Sequence, residues 1–450
     1  MSPAAASGGA AAAIESWKRA PAPLPLSGGV QPYVWGQRDK QAIIPRLLGI
    51  APVPDQPYAE LWLGAHPQLP STVSIAGASI NMIELIAAAP EAVLGAPAVR
   101  RFGPQLPFLM KVLAAAQPLS IQAHPDQGQA EAGFAREEAA GIPREAPQRN
   151  YRDPRHKPEL IVALGDLFAL KGFRPVEEIA ADFSRTPELA PLLRLPPPAD
   201  ETDRDRRNAA RRAWVKELFT RSLSHTTETT ETTDPIGAAL EALVRRLETE
   251  DRVQPFGREQ IEYWLLRAAH ALAGAPTGRG PDRGLLSFYL LNFIHLRAGQ
   301  ALYLGPGELH AYLEGAGVEV MANSDNVLRG GLTPKHVDVP ALLATLTFDV
   351  GTPTILQARP DGVYTTPTSE FVTARLTLSG GAAVDVDGVR GADLLLVTRG
   401  EVTLVPAPPS PVATVKAPTG RALLMPAAMG AYQIRAERAP ATVFRVSIPL

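Results

Sequence analysis

A period of two is what most constrains this chain of 450 residues. In Ser120-Ile121-Gln122-Ala123-His124-Pro125 and His156-Lys157-Pro158-Glu159-Leu160, polar residues take alternate places in apolar runs. Side chains at i and i+2 of a strand share a face. Ser120, Gln122 and His124 therefore point together, as do Lys157 and Glu159. A third segment, residues 304–312, sets His310 and Tyr312 on one face after a Pro-Gly turn. Such runs call for a sheet that turns one face toward a polar site.

The rest of the chain extends this pattern. Between about residues 30 and 173, short apolar runs (58–64, 71–75, 108–113, 160–164) are broken by Gly, Pro and Asn, an all-β signature. Helical spacing interrupts it at 82–94 and 126–140. The character changes at Pro175, where 176–183, 204–223, 235–248 and 258–272 carry helix-type apolar spacing. Between these helices lie Pro196-Pro197-Pro198 and the threonine/glutamate tract 225–233, a low-complexity stretch expected to be a mobile surface loop. Strand-like runs resume near Leu290. After Pro340 they recur at 371–378, 382–386, 394–398, 402–405 and 442–448, as in a sandwich or jelly roll. The expected fold is mainly β with an α insertion. A disordered tail spans 1–22, a catalytic β domain 23–175 plus 285–340, an inserted helical domain 176–284, and a C-terminal β domain 341–450. No histidine follows His336, so the last domain is expected to be structural.

Composition excludes several functions. A net charge of −2 leaves no footprint for nucleic acid or anionic membrane. With no cysteine there is neither a thiolate zinc site nor a disulfide framework. The longest apolar stretch, 284–296, is too short to span a bilayer and carries His295. Residues 1–14 lack the basic start and long apolar core of a secretory signal. A cytoplasmic monomer is expected.

The polar positions suggest chemistry. A lone histidine in a strand is ordinarily a packed residue. Here His124 shares its face with Gln122, and Glu159 sits in an apolar strand where a carboxylate is almost never buried unpaired. His124, His310, Glu159 and Gln122 together could make a four-coordinate N/O site, suited to Zn²⁺ or Mn²⁺ rather than a soft ion. That makes an enzyme the leading idea. Lys111 lies in the apolar run 108–113, where a buried amine is costly without a counter-charge. Either it snorkels to solvent or it meets an anionic substrate. Arg329 and Lys335 belong to a turn-rich segment, 323–335, whose glycines permit close backbone approach to a ligand and whose cations are usual phosphate clamps. Glu319 alternates with valines, so it is either a surface residue or an acid/base facing the pocket. Trp62 and His66 read as packing and turn residues. No phosphate-loop or dinucleotide fingerprint is present, and the glycines of 278–284 do not follow a strand.

Six motifs carry a family resemblance. They are Gln31-Pro32-Tyr33-Val34-Trp35-Gly36, Ala59 to Pro67, Pro118 to Pro125, Asn150-Tyr151 with His156-Lys157-Pro158-Glu159, Gly172-Phe173-Arg174-Pro175, and Asn323 to Lys335. In this order, over residues 31–338, they strongly resemble type I mannose-6-phosphate isomerases. The resemblance implies cupin-type jelly rolls and a zinc enzyme interconverting mannose 6-phosphate and fructose 6-phosphate. It implies zinc ligands at Gln122, His124, Glu159 and His310, with an essential arginine at Arg329. Ser120, Lys111, Lys157, Lys335, Tyr312 and Glu319 match pocket positions. Glu319 or Lys157 is then the expected base, while Lys111, Ser120 and Lys335 hold the phosphate. Asp126-Gln127 departs from the more usual Asn-Lys, a change expected to affect only surface charge at the pocket rim.

Overall fold

The period-two segments run into antiparallel strands, with Ile121–Ala123 and Glu159–Phe173 extended while Ser120, His124 and residues 156–158 lie just outside them. The computed structural model describes residues 3–197, 201–223, 234–273, 281–387, 391–408 and 412–450. One nine-stranded sheet carries the polar positions. Its main path runs Ala301–Leu304, Glu159–Phe173, His310–Ala322, Phe108–Ala115, Glu60–Gly64 and Gly29–Gln31. Leu291–Leu296 pairs with Glu159–Phe173, while Ile121–Ala123 links His310–Ala322 to Leu328–Gly331.

Register explains why polar residues gather. Trp62 lies opposite Lys111, Lys111 opposite Glu319, and Met321 opposite Glu159. At the other end, Arg329 and His310 both lie opposite Gln122. Directly paired residues share a face, so these side chains stand on one surface. The strand His310–Ala322 shifts register between Gly315 and Gly317. Gly315 has φ +123°, and a Cβ there would sit 2.4 Å from the Asp166 carbonyl oxygen, so only glycine fits.

The helical block comprises Val176–Arg185, Arg204–Leu223, Pro235–Val253 and Ile261–Leu272. Its buried Phe219, Leu240, Leu243 and Trp264 join one core with Phe168, Leu170 and Leu309 of the sheet. The tract 225–233 lies outside the described residues, as do Pro198 and residues 278–280. No helix among the described residues is long and apolar enough to cross a membrane.

A second sheet of eight strands faces one of four strands, and their apolar sides enclose a further core around Leu395, Leu404, Ile434 and Val443. Here the structure departs from two expectations. Leu24–Ser27, Thr72–Ile75 and Ala78–Asn81 join the eight-stranded sheet beside the C-terminal strands, with Leu26 opposite Ala422. A domain boundary at residue 341 therefore divides both this sheet and the core that Leu24, Val73, Leu394 and Phe444 share. Local periodicity reveals strands but not distant partners. The tail expected to be disordered is the helix Pro3–Arg19. Ala13, Ile14 and Trp17 are buried, and Trp17 Nε1 donates to the Ala22 carbonyl at 3.1 Å. Ala10, Ala13, Ile14 and Trp17 form a stripe at helical spacing, which the Ala/Gly/Ser bias conceals.

Candidate active site

Glu159 and His310 each open a long central strand, and His124 follows the short strand Ile121–Ala123. Glu159 Oε1 lies 3.3 Å from His124 Nε2, and Glu159 Oε2 lies 3.6 Å from His310 Nε2. The imidazole rings are 5.0 Å apart. All three residues are buried, with their candidate ligand atoms within 4.8 Å of one another. His124 Nε2, Glu159 Oε2 and His310 Nε2 make no hydrogen bond, although sealed from solvent. A buried polar atom without a partner costs ~1–3 kcal/mol. Three converging on one point call for a shared partner, and a divalent cation fits that donor set.

Protonation agrees with ligation. His124 Nδ1 donates to the Asn326 backbone carbonyl at 2.8 Å, and His310 Nδ1 to that of Glu308 at 3.1 Å. A carbonyl only accepts, so the Nε2 lone pairs face Glu159. Burial pushes both imidazole pKa values down, helped by the Lys157 charge at His124. At His310, burial and the neighbouring His124 bring the value to about 3. Burial alone would raise the Glu159 carboxyl. Lys157, with Nζ 3.0 Å from Oε1, is the foremost influence holding it well below the usual range. Neutral imidazoles beside an ionised carboxylate are the state a metal needs. Gln122 lines the adjoining cavity.

That cavity has a volume of about 740 Å³. Lys111, Ser120, Lys157, Tyr312, Glu319, Arg329 and Lys335 all line it, as do Trp62 and His66. Lys111 does not snorkel to solvent: it is buried, lines the cavity and has carboxylates beside it there. Its Nζ lies 3.5 Å from Glu60 Oε2, 3.6 Å from Glu319 Oε2 and 4.8 Å from the centre of the Trp62 ring. Burial lowers its pKa, but the Glu60 and Glu319 carboxylates outweigh burial and raise it. Trp62 Nε1 donates to Glu60 Oε2 at 2.6 Å, and the Tyr312 hydroxyl to Glu319 Oε1 at 2.8 Å. Glu319 faces the pocket. Burial, then the nearby charge of Glu159, pushes its pKa up to about 7.

Sequence reasoning missed Glu60 as a partner of Lys111, along with the supports of one loop. Asn326, fully buried, takes hydrogen bonds on Oδ1 from the backbone of Arg152 (2.7 Å) and Asp153 (3.2 Å). Its Nδ2 donates to the carbonyls of Asp153 (2.7 Å) and Arg155 (2.8 Å). From the other side, Gln127 accepts from His156 N at 3.1 Å and donates to the Pro154 carbonyl at 3.0 Å. The Asp126-Gln127 departure therefore touches the loop leading to Lys157, beyond surface charge alone. One signal was available: Asp126 and Gln129 form a capping box on the helix Gln127–Ala139. Nothing local marks Asn326.

The antiparallel sheets and the buried His-Glu-His group define a cupin-type fold with a metal-binding centre. Comparison with known proteins narrows that class. Residues 24–176 match the model described as phosphomannose isomerase type I, catalytic domain. Mannose-6-phosphate isomerase of Escherichia coli (strain K12) is 39% identical over 329 residues, covering 72% of this chain and 74% of that protein. The Macaca fascicularis enzyme is 32% identical over 399 residues, with 85% and 89% covered. A solved mutant of phosphomannose isomerase from Salmonella typhimurium superposes with a TM-score of 0.77 at 31% identity, covering 95% of this chain and all of that one. A zinc-bound mannose 6-phosphate isomerase structure gives the same TM-score, identity and coverage. The chain belongs to the type I phosphomannose isomerase family.

Proposed function

We infer that the protein is a metal-dependent aldose–ketose isomerase interconverting mannose 6-phosphate and fructose 6-phosphate. One zinc ion per chain would be held by Gln122, His124, Glu159 and His310. The observation that carries this is the convergence of three orphaned ligand atoms beside the cavity, in a chain of this family. The names of its bacterial, plant and animal relatives and a zinc-bound neighbour support the reading.

When bound, the ion supplies Lewis-acid polarisation of the sugar oxygens. The chain's own residues do the rest. Isomerisation moves a proton between C2 and C1 through an enediolate. Glu319 is the best-placed carbon base, because a carboxyl with a pKa of about 7 both takes up and returns a proton near neutral pH. The Tyr312 hydroxyl fixes its orientation. Lys157 is engaged by Glu159, which suits it to holding that ligand ionised rather than to abstracting a proton. Lys111 balances Glu60 and Glu319. Arg329, always charged, stabilises the negative charge that develops as the carbon proton leaves. Ser120 and Lys335 hold the phosphate.

A coupled assay for fructose 6-phosphate made from mannose 6-phosphate tests this. Activity should vanish on chelation and return with zinc. Faster turnover of another phosphosugar would reassign the substrate, and no turnover by zinc-loaded protein would leave a sugar-binding protein. A cytoplasmic monomer without nucleic-acid or membrane partners fits the net charge of −2. Gel filtration at the mass of one 47.9 kDa chain would support the monomer.

A further inference from the structure

Three cations share one end of the cavity. Arg152, Arg329 and Lys335 all line it. Among the described residues, none of the three has a carboxylate oxygen within 4 Å. The other buried or half-buried lysines and arginines of the pocket are matched: Lys111 to Glu60 and Glu319, Lys157 to Glu159, Arg149 to Glu137 and Glu138. The three exceptions repel one another. Burial, and then Arg152, weakens the hold of Arg329 on its proton, while Lys335 feels burial, Arg329 and Arg152. Concentrated like charge at a partly buried surface is unfavourable unless an anion joins it.

We propose that Arg152 is a phosphate-binding residue, which together with Lys335 receives the dianionic 6-phosphate of the sugar, with Arg329 beside them on the side of the reacting carbons. This rests on the reading of the cavity as a phosphosugar site. The spacing suits it. Arg329, Gln122 and His310 stand in one row across three adjacent strands. Two inter-strand steps span about 10 Å, the scale of an extended hexose phosphate lying between cation cluster and metal centre. Arg152 is held ready for the task. Its own backbone N–H and three further backbone groups of its loop are clasped by Asn326, and Gln127 holds Pro154 and His156. Its guanidinium, by contrast, makes no hydrogen bond or ion pair among the described residues, although it feels the charge of Asp325 in the same cavity, so the fold fixes the loop and leaves the fork free for a ligand.

The test compares the zinc-loaded wild type with Arg152→Gln and Arg152→Lys. Two quantities are read: kinetics with mannose 6-phosphate, and calorimetric binding of inorganic phosphate. Losing one charge-assisted contact should raise KM and the phosphate Kd together by roughly tenfold or more. Zinc content and kcat should change little, and Arg152→Lys should fall between. Because the side chain makes no hydrogen bond or ion pair among the described residues, Arg152→Gln is expected to fold, and an unchanged melting temperature checks this. Phosphate binding that is equal in wild type and Arg152→Gln, or absent from the wild type, overturns the proposal. So does a fall in kcat or zinc content at constant KM, which would make Arg152 a support of the loop. A wild type that binds phosphate through Arg152 but turns over no mannose 6-phosphate instead refutes the isomerase reading and keeps the anion site.

Discussion

The backbone carbonyl of Asn326 fixes the tautomer of His124 at 2.8 Å, while its side chain clasps the loop beginning at Arg152. One residue thus joins a candidate metal ligand to the loop that carries Arg152 and leads to Lys157. Outer partners of this kind typically change metal affinity by about 10–100-fold when removed. In Asn326→Ala the carbonyl survives, but four hydrogen bonds to the loop are lost. We expect about tenfold weaker zinc binding, read by competition with a chromogenic chelator, and a raised KM. Asn326→Asp keeps the two acceptor contacts and loses the two donor contacts, so it should be intermediate. Zinc affinity unchanged in Asn326→Ala would mean that loop and metal centre are independent.

Lys111→Met should act on stability before substrate affinity. The substitution keeps the bulk of the stem but leaves Glu60 and Glu319 buried without their shared cation. Breaking a buried charge pair by removing one partner costs about 3–5 kcal/mol. Chemical denaturation should show a loss on that scale, and the pKa of Glu319 should rise further. Unchanged stability together with a higher KM would return Lys111 to phosphate binding.

The parts of this site legible in the sequence are those with local periodicity. His124 and Gln122 announce themselves by alternation, and Glu159 by standing in an apolar strand. Register is not local. That Lys111 sits across from Glu319, with Glu60 two positions before Trp62 on the next strand, follows from pairings over 208 and 49 residues of chain, which no window reports. The same limit hid the pairing of Leu26 with Ala422. Asn326 was invisible for a related reason. An asparagine in a turn-rich segment reads as an ordinary turn former, and only the folded chain brings the loop 152–155 within its reach. The helices were easier, because their signal is periodic. The helix over 204–223 appears as expected, and that over 235–248 continues to Val253.

The N-terminal helix should contribute to stability. Trp17 is 6% exposed and packs with Ile14 into the core that also holds Leu24, Val73 and Phe444. Truncating a buried tryptophan typically costs about 3–5 kcal/mol. Trp17→Ala, or deletion of residues 1–20, should lower the midpoint of denaturation and leave kcat nearly unchanged, since none of these residues lines the cavity. A deletion variant as stable as the full chain would show that the helix docks without stabilising.

Glu319 ties catalysis to pH with a definite sign. Its carboxyl is raised from 4.5 to about 7, chiefly by burial and next by Glu159. Between those values the folded protein keeps a proton that the unfolded chain releases. The unfolded state therefore binds fewer protons, and stability of the metal-free protein should fall as pH rises through this window. A carbon base must be ionised, so kcat/KM should rise over the same window. Bound zinc favours the carboxylate, which places the acid limb of the zinc enzyme between about 4.5 and about 7. Glu319→Gln keeps a polar partner for Tyr312 and cannot titrate. Its stability should lose that pH dependence, and turnover should drop by about 100-fold or more, as for loss of a general base. Stability profiles that coincide for wild type and Glu319→Gln would place the titration elsewhere. Retained turnover would pass the base role to Lys157.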